Sequence, residues 1–171
     1  MTTQYNIDFD KDRLKPLLDS GCSLFQLVSY EWERVDGALI TAAMRMNRTL
    51  YKWSGAKRLQ TWNSSSSRFD VVDEMMPVEL LEWYRDLEKG SILLLEDSHM
   101  LLDQSNTERG FVIWWLRELA RMTKSEGKCL ILGTVSPTAI LELDKEMPII
   151  ELDLPRRHTL GIIFDDVVSE A

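Results

Sequence analysis

An apolar run that ends in two acids is the feature that most constrains how this chain folds. Residues Ile92–Leu95 carry four consecutive aliphatic side chains, and Glu96 and Asp97 follow directly. A short continuous apolar run predicts a strand that is buried on both faces of a sheet. Acids at the end of such a strand are typical of α/β domains that hydrolyse nucleotides. The phosphate-binding pattern G-x-x-x-x-G-K-[ST], which usually accompanies these acids, is missing from the sequence.

Length and charge narrow the class of protein. The 171 residues are most simply one domain, so we expect residues 1–171 to form a single α/β core. The net charge of −8 makes nucleic acid an unlikely partner, because that binding depends on Lys and Arg neutralising phosphates. No apolar run approaches the ~20 residues of a membrane-spanning helix, and a secretion signal is missing from the first residues. We therefore expect a protein of the cytoplasm or of an organelle stroma, with no membrane partner.

The two cysteines and two histidines do not form a metal-binding pattern. Cys22 and Cys129 lack C-x-x-C spacing, and neither His99 nor His158 has ligand spacing to a cysteine. We expect two reduced cysteines that lie near strand starts, at the end of the sheet opposite the acids. His99 is interpreted as a loop histidine with local hydrogen bonds.

Strands and helices alternate along the chain, which predicts a three-layer α/β sandwich around a five-stranded parallel sheet. In order along the sequence, the expected strands are residues 24–29, 49–54, 91–97, 128–134 and 149–154. The expected helices are residues 10–20, 31–47, 79–89, 108–125 and 155–171. Residues 55–75, with four serines at 64–67, are expected to form an irregular mobile loop.

In such folds the working site lies where the parallel strands end. A dinucleotide-binding domain needs G-x-G-x-x-G after the first strand, but Ser29–Trp32 has no glycine there. A receiver-like domain fits better, because Asp97 would follow strand three and Thr134 would follow strand four. Its acid pair after strand one and its lysine after strand five are missing, so it is kept as a second alternative.

An AAA-type ATPase core accounts for more of these positions. Glu96 would lie in the magnesium slot and Asp97 in the slot of the base that activates water, the reverse of the usual Asp-Glu order. Thr134 would sense the γ-phosphate. Pro155–Arg157 lies where AAA cores pass into a small helical lid, which residues 155–171 would begin. This interpretation predicts an AAA or P-loop-NTPase-like sheet order of 5-1-4-3-2.

Four segments carry a resemblance to a known family: Gly21–Val35, Arg48–Ser54, Ile92–His99 and Glu151–Pro155. Together they resemble the N-terminal degenerate ATPase domain of the two-domain AAA proteins of cyanobacteria and algal plastids. The resemblance implies a domain that lacks the phosphate loop, and a second AAA domain downstream that carries intact motifs.

The turn after the first strand argues against nucleotide binding. Ser29 and Tyr30 lie at the position of the phosphate loop, but a turn of a residue or two cannot wrap a phosphate. Glu31 and Glu33 fall in the first helical turn, where they complement the helix dipole and would repel a triphosphate. Ser29 is expected to cap the helix. No cofactor is expected; ATP and Mg²⁺ belong only to the alternative in which Glu96 and Asp97 are catalytic.

The tryptophans point to protein partners. Trp114 and Trp115 are adjacent on one expected helix, so both cannot face the core, and we interpret them as interface residues. The core-facing stripe of that helix is expected to be Phe111, Trp115, Leu119 and Met122. The sequence therefore indicates a degenerate AAA-type pseudo-ATPase that binds protein subunits, such as a catalytic AAA domain or another copy of itself. The alternative is an active ATPase subunit that uses Glu96 and Asp97.

Overall fold

The computed structural model describes residues 14–152, which form one mixed sheet flanked by helices on both faces. The helices are α1 (Lys15–Asp19), α2 (Trp32–Arg45), α3 (Pro77–Arg85), α4 (His99–Leu102) and α5 (Arg109–Met122), with 3₁₀ turns at Lys124–Glu126 and Leu141–Leu143. The strands are β1 (Leu24–Val28), β2 (Leu50–Ser54), β3 (Arg58–Asn63), β4 (Arg68–Asp73), β5 (Ile92–Leu95), β6 (Cys129–Thr134) and β7 (Ile149–Glu151). The expected helix at 155–171 and the start of the one at 10–20 lie outside the described residues.

The sheet corrects the prediction of five parallel strands. It has seven strands in the order β4-β3-β2-β5-β6-β1-β7, so both the strand number and the full order differ from the expectation. The five expected strands are consecutive in this order, as β7-β1-β6-β5-β2, and all pair in parallel. The two extra strands, β3 and β4, pair antiparallel beyond β2. A receiver-like order is excluded, because such a fold places its first strand between strands two and three, whereas β1 lies between β6 and β7.

The extra strands replace the loop that was expected at residues 55–75. The four serines form only the turn between β3 and β4, where the Asn63 side-chain oxygen accepts hydrogen bonds from the N–H groups of Ser65 and Ser66. Trp62 and Phe69 face each other across the two strands, with ring centroids 5.3 Å apart in an edge-to-face arrangement. Cross-strand aromatic pairs of this kind stabilise hairpins. The segment is therefore a hairpin, although its serine run indicated a loop.

The sheet separates two apolar clusters. Leu93 and Leu95 of β5 face the cluster under α3 and α5, while Ile92 and Leu94 face the cluster under α1 and α2. Burial on both faces is what the continuous apolar run of β5 predicted. The expected core stripe of α5 is wrong in register, because Phe111 and Met122 are exposed. The buried residues of this helix are Val112, Ile113, Leu116, Leu119 and Ala120.

The position of the cysteines follows from the strand register. β1 and β6 are parallel neighbours, with Leu24 opposite Leu130, so Cys22 and Cys129 lie at the same end of the sheet and Glu96 lies at the other, as expected. Burial raises the pKa of both thiols. Within residues 14–152, no helix is long and apolar enough to cross a membrane.

Candidate functional site

The connection between β1 and α2 is too short to cradle a phosphate. Only residues 29–31 separate the two elements. The N–H of Ser29 donates to the carbonyl of Thr134 at 2.9 Å, and the Ser29 Oγ accepts from the N–H of Glu31 at 2.9 Å. The expected capping role of Ser29 is wrong, because α2 begins one residue later than predicted and Glu31 occupies the N-cap position. Tyr30 is exposed beside it.

The indole of Trp32 covers the end of the sheet that this connection leaves open. A Cβ atom added at Gly133 would lie 2.8 Å from two carbons of the Trp32 ring and 3.2 Å from the carbonyl oxygen of Leu95. The ring therefore rests directly on the backbone of β6, between the ends of β1 and β5. In open α/β sheets ligands bind in the crevice beyond the strand ends, and here an aromatic side chain lies against the backbone beside it.

The first turn of α2 carries negative charge toward the same place. Glu31 forms an ion pair with Arg34, and Glu33 lies in the first turn. The N-terminus of a helix attracts anions when its N–H groups are free to face them. Here carboxylates already complement the helix dipole, so the helix offers little to a triphosphate.

Glu96, the expected magnesium ligand, lies in a buried ion cluster with a lysine that the sequence analysis missed. Lys52 of β2 places its Nζ 2.6 Å from Asp36 Oδ2 and 3.3 Å from Glu96 Oε1. Lys57 Nζ lies 3.9 Å from Glu96 Oε2. Both Lys52 and Glu96 are buried. A lysine in the middle of a strand next to the acid-tipped strand was the available signal.

This cluster does not fit a magnesium ion. Mg²⁺ requires a near-octahedral set of oxygen ligands, whereas the Glu96 carboxylate faces two ammonium groups. Among residues 14–152, no three His, Cys, Asp or Glu side chains form a group that could hold a metal ion.

The other expected site residues are not joined to Glu96. Asp97 is exposed and has a left-handed backbone with φ of 52°, where the chain leaves the sheet. Ser98 then donates from its N–H and its Oγ to the carbonyl of Gly133. Thr134 is fully buried, and its Oγ1 has no hydrogen-bond partner among the described residues. His99 begins α4, and its Nδ1 is likewise buried without a partner in that part of the chain.

The two adjacent tryptophans of α5 lie in different surroundings. Trp114 is half exposed, while Trp115 packs against the apolar cluster below α5. Their rings meet edge to face at 5.1 Å, and the Arg85 guanidinium lies 5.7 Å from the centroid of the Trp115 ring. Trp114 thus keeps about half of its surface exposed, and Trp115 supports it from below.

Comparisons with known proteins agree with the fold and with the sequence resemblance. A family model described as "SpoVK-like AAA ATPase, N-terminal domain" matches residues 10–152. The chain is 24% identical over 155 residues to the "Uncharacterized AAA domain-containing protein ycf46" of Guillardia theta, covering 90% of this chain and 29% of that protein. The chain therefore spans less than a third of the length of this relative. The expected resemblance to the N-terminal domain of an AAA protein is confirmed.

Two solved structures align with this chain. A chain in the structure of the E. coli MS115-1 HORMA:CdnC:Trip13 complex aligns with a TM-score of 0.53 and 13% identity, over 95% of this chain and 61% of that one. The structure of Rhizobiales Trip13 aligns with a TM-score of 0.47 and 12% identity, over 86% and 51%. At such low identity, the first similarity shows the fold alone.

Proposed function

The chain belongs to the family of SpoVK-like AAA ATPase N-terminal domains, and on that premise we propose that it is a degenerate ATPase domain that binds proteins instead of ATP. Its role is that of an interaction or assembly module. The proposed location is the cytoplasm or an organelle stroma.

The observation that carries this proposal is the contact of the Trp32 ring with Gly133 near the end of the sheet. In this proposal the ring takes the room that a bound phosphate would need. The Lys52 ammonium group lies 3.3 Å from Glu96 and neutralises its carboxylate, as a magnesium ion would in an active site.

Protein subunits are the proposed partners. Trp114 is a large half-exposed aromatic side chain, and tryptophan is enriched where protein interfaces gain most of their affinity. The solved neighbour belongs to a complex whose name includes HORMA, CdnC and Trip13. A catalytic AAA domain or a second copy of this chain would be a partner of the same kind.

Isothermal titration calorimetry with ATP and Mg²⁺ tests the proposal. We expect no heat of binding above that of dilution. Micromolar affinity that depends on Mg²⁺ would contradict it. A Trp32→Ala variant is the matched comparison, because it opens the crevice above Gly133 but leaves the Lys52–Glu96 pair in place.

The second candidate is an ATPase whose phosphate grip comes from a neighbouring subunit. Two observations favour it: Asp97 is exposed beside the end of β5, and the Thr134 hydroxyl is buried without a hydrogen bond among the described residues. ATP hydrolysis that is lost in Asp97→Ala, at unchanged thermal stability, would support this candidate over the first.

A further inference from the structure

Two pockets lie along one side of α5, and together they are called the groove. The first, of about 210 Å³, lies beside Trp114, Arg117 and Glu142. The second, of about 250 Å³, lies beside Arg121, Lys145 and residues 21–23. The helix residues that line the groove recur every three or four positions, so they share one side of α5.

We propose that this groove docks an acidic segment of a partner protein. We call four cations, Arg117, Arg121, Lys124 and Lys145, together with the neighbouring ring of Trp114, the basic strip. The proposal rests on the proposed function as a protein-binding module, and it names the chemistry of the partner.

The charge of the groove is opposite to that of the chain. The chain has a net charge of −8, yet the two cavities are lined by five cationic side chains and only two acidic ones. The cations are Arg109, Arg117, Arg121, Lys124 and Lys145, and the acids are Glu142 and Glu146. A local excess of cations on an acidic molecule selects an acidic partner.

Several of these cations are not yet paired. Arg121 lies 3.5 Å from Glu118 and 3.9 Å from Glu146, so these two ion pairs partly neutralise its charge. Within residues 14–152, no ion pair involves Arg117, Lys124 or Lys145. Arginine–carboxylate pairs are frequently bidentate, which adds geometric specificity to the attraction of opposite charges.

Apolar side chains border the cations, so the partner segment must carry apolar groups as well. Trp114 is 50% exposed, Phe111 is 68% exposed on the adjoining turn of α5, and Leu141 is 89% exposed on the segment that forms the other wall of the groove. The contact between Trp114 and Trp115 holds the exposed ring in place. Binding to a ring that is already ordered costs less side-chain entropy.

The observations favour an acidic protein segment over other partners. Glu118, Glu142 and Glu146 lie among the cations of the groove, and they would repel the continuous phosphate backbone of a nucleic acid. A second copy docked strip to strip would bring like charges together, because a two-fold interface pairs each patch with itself. A segment with a few carboxylates around an apolar anchor can avoid these acids.

Fluorescence polarisation with three labelled probes tests the proposal. The first is a peptide in which glutamates flank a central leucine and tryptophan, the second has lysines in place of these glutamates, and the third is oligothymidine of equal length. We expect the first peptide to bind, with affinity that falls about tenfold in Arg117→Gln and in Trp114→Ala. Equal binding of both peptides, no binding of the first, or tighter binding of oligothymidine would overturn the proposal.

Matched controls separate the strip from general charge and hydrophobicity. Lys89→Ala removes an exposed cation outside the strip, and Tyr30→Ala removes an exposed aromatic ring outside it; both should leave the affinity within about twofold. Lys124→Glu reverses a charge on the exposed surface and must also weaken binding, so the test stands even when Arg117→Gln is unstable.

Together with the ATP titration, the same probes separate the docking proposal from the pseudo-ATPase proposal. If the chain binds ATP but still selects the acidic peptide through Arg117, the pseudo-ATPase proposal fails and the docking proposal stands. If ATP does not bind and the two peptides bind alike, the docking proposal fails alone.

Discussion

Gly133 is the residue on which the closed end of the sheet depends most directly. An alanine there would push its Cβ against the Trp32 ring at 2.8 Å. Overpacking of this kind costs ~1–3 kcal/mol, so we expect Gly133→Ala to lower the free energy of unfolding by that amount in urea titrations. Gly110→Ala is the matched control, because a Cβ at Gly110 meets nothing within 4 Å; it should cause no loss.

A double-mutant cycle identifies the indole as the cause. The cost of Gly133→Ala should become smaller in a Trp32→Leu background, because the aromatic ring that the new methyl group strikes has been removed. An equal cost in both backgrounds would mean that the nearby Leu95 carbonyl, at 3.2 Å, and not the indole, sets the limit.

Lys52 is the second residue on which the stability of the fold depends strongly. In Lys52→Met, the carboxylates of Asp36 and Glu96 lose the ammonium group at 2.6 Å and 3.3 Å. Breaking a buried ion pair from one side costs ~3–5 kcal/mol, and we expect a loss near the lower limit because Asp36 is partly exposed. The free energy of unfolding in urea measures it. Lys57→Met is the control: this lysine is 62% exposed, so less than ~1 kcal/mol is expected.

Residue roles could be predicted from the sequence only where they depend on neighbours along the chain. The acids Glu96 and Asp97 were found because they end an apolar run, and the short turn at Ser29 was visible for the same reason. Lys52 and Trp32 were missed because their partners, Glu96 and Gly133, lie far away in sequence and come close only through the pairing of β2, β5 and β6.

Among the elements, Tyr51 joins β2 to α3 and to the segment that follows this helix. Its ring packs edge to face on Trp83 at 5.1 Å, and its hydroxyl donates to Glu88 at 3.2 Å. Partial burial and the nearby Glu88 carboxylate raise the pKa of Tyr51 to about 12. The phenol therefore keeps its proton in the folded protein at pH values where the unfolded chain loses it, above a pKa of ~10.

The sign of the pH effect follows from linkage. The contribution of Tyr51 is complete below pH ~10 and is lost as the pH rises from ~10 through about 12, because only the unfolded state releases the proton over that range. Urea midpoints measured between pH 9 and about 11.5 should fall less steeply for Tyr51→Phe than for the parent chain. Tyr84, Cys22 and Cys129, whose pKa values burial also raises, contribute to the slope that remains. Identical slopes would contradict the assignment to Tyr51.

The elements that the sequence predicted well are those with long apolar periodicity. The buried strands and α2 follow from their patterns, since each buries a face that its own residues define. The β3–β4 hairpin was missed because its aromatic residues, Trp62 and Phe69, are separated by polar residues that resemble a linker. The core face of α5 was misplaced by about one position, because aromatic residues occur on both its buried and its exposed sides.

The protein as a whole controls the access to its thiols. Cys129 begins a central strand and is fully buried, and Cys22 lies half-buried nearby. Burial raises the pKa of both thiols, which lowers the thiolate fraction that reacts. In native buffer we expect a disulfide-exchange reagent to modify Cys22 slowly, and to modify Cys129 only as fast as the domain unfolds.

The labelling rates of single-cysteine variants test this expectation. Labelling of the Cys22→Ala variant, which keeps Cys129, should accelerate in urea in parallel with the loss of structure. Rapid labelling of Cys129 without denaturant would show that the sheet opens locally at this end, and the expectation would then be wrong.

The contact above Gly133 also bears on whether nucleotide binding could be restored. A return to nucleotide binding would require a longer turn after β1, a smaller side chain at Trp32 and release of Glu96 from Lys52. Under the proposed function, no single substitution would therefore restore a nucleotide site, because the turn, the indole and the ion pair each oppose it separately.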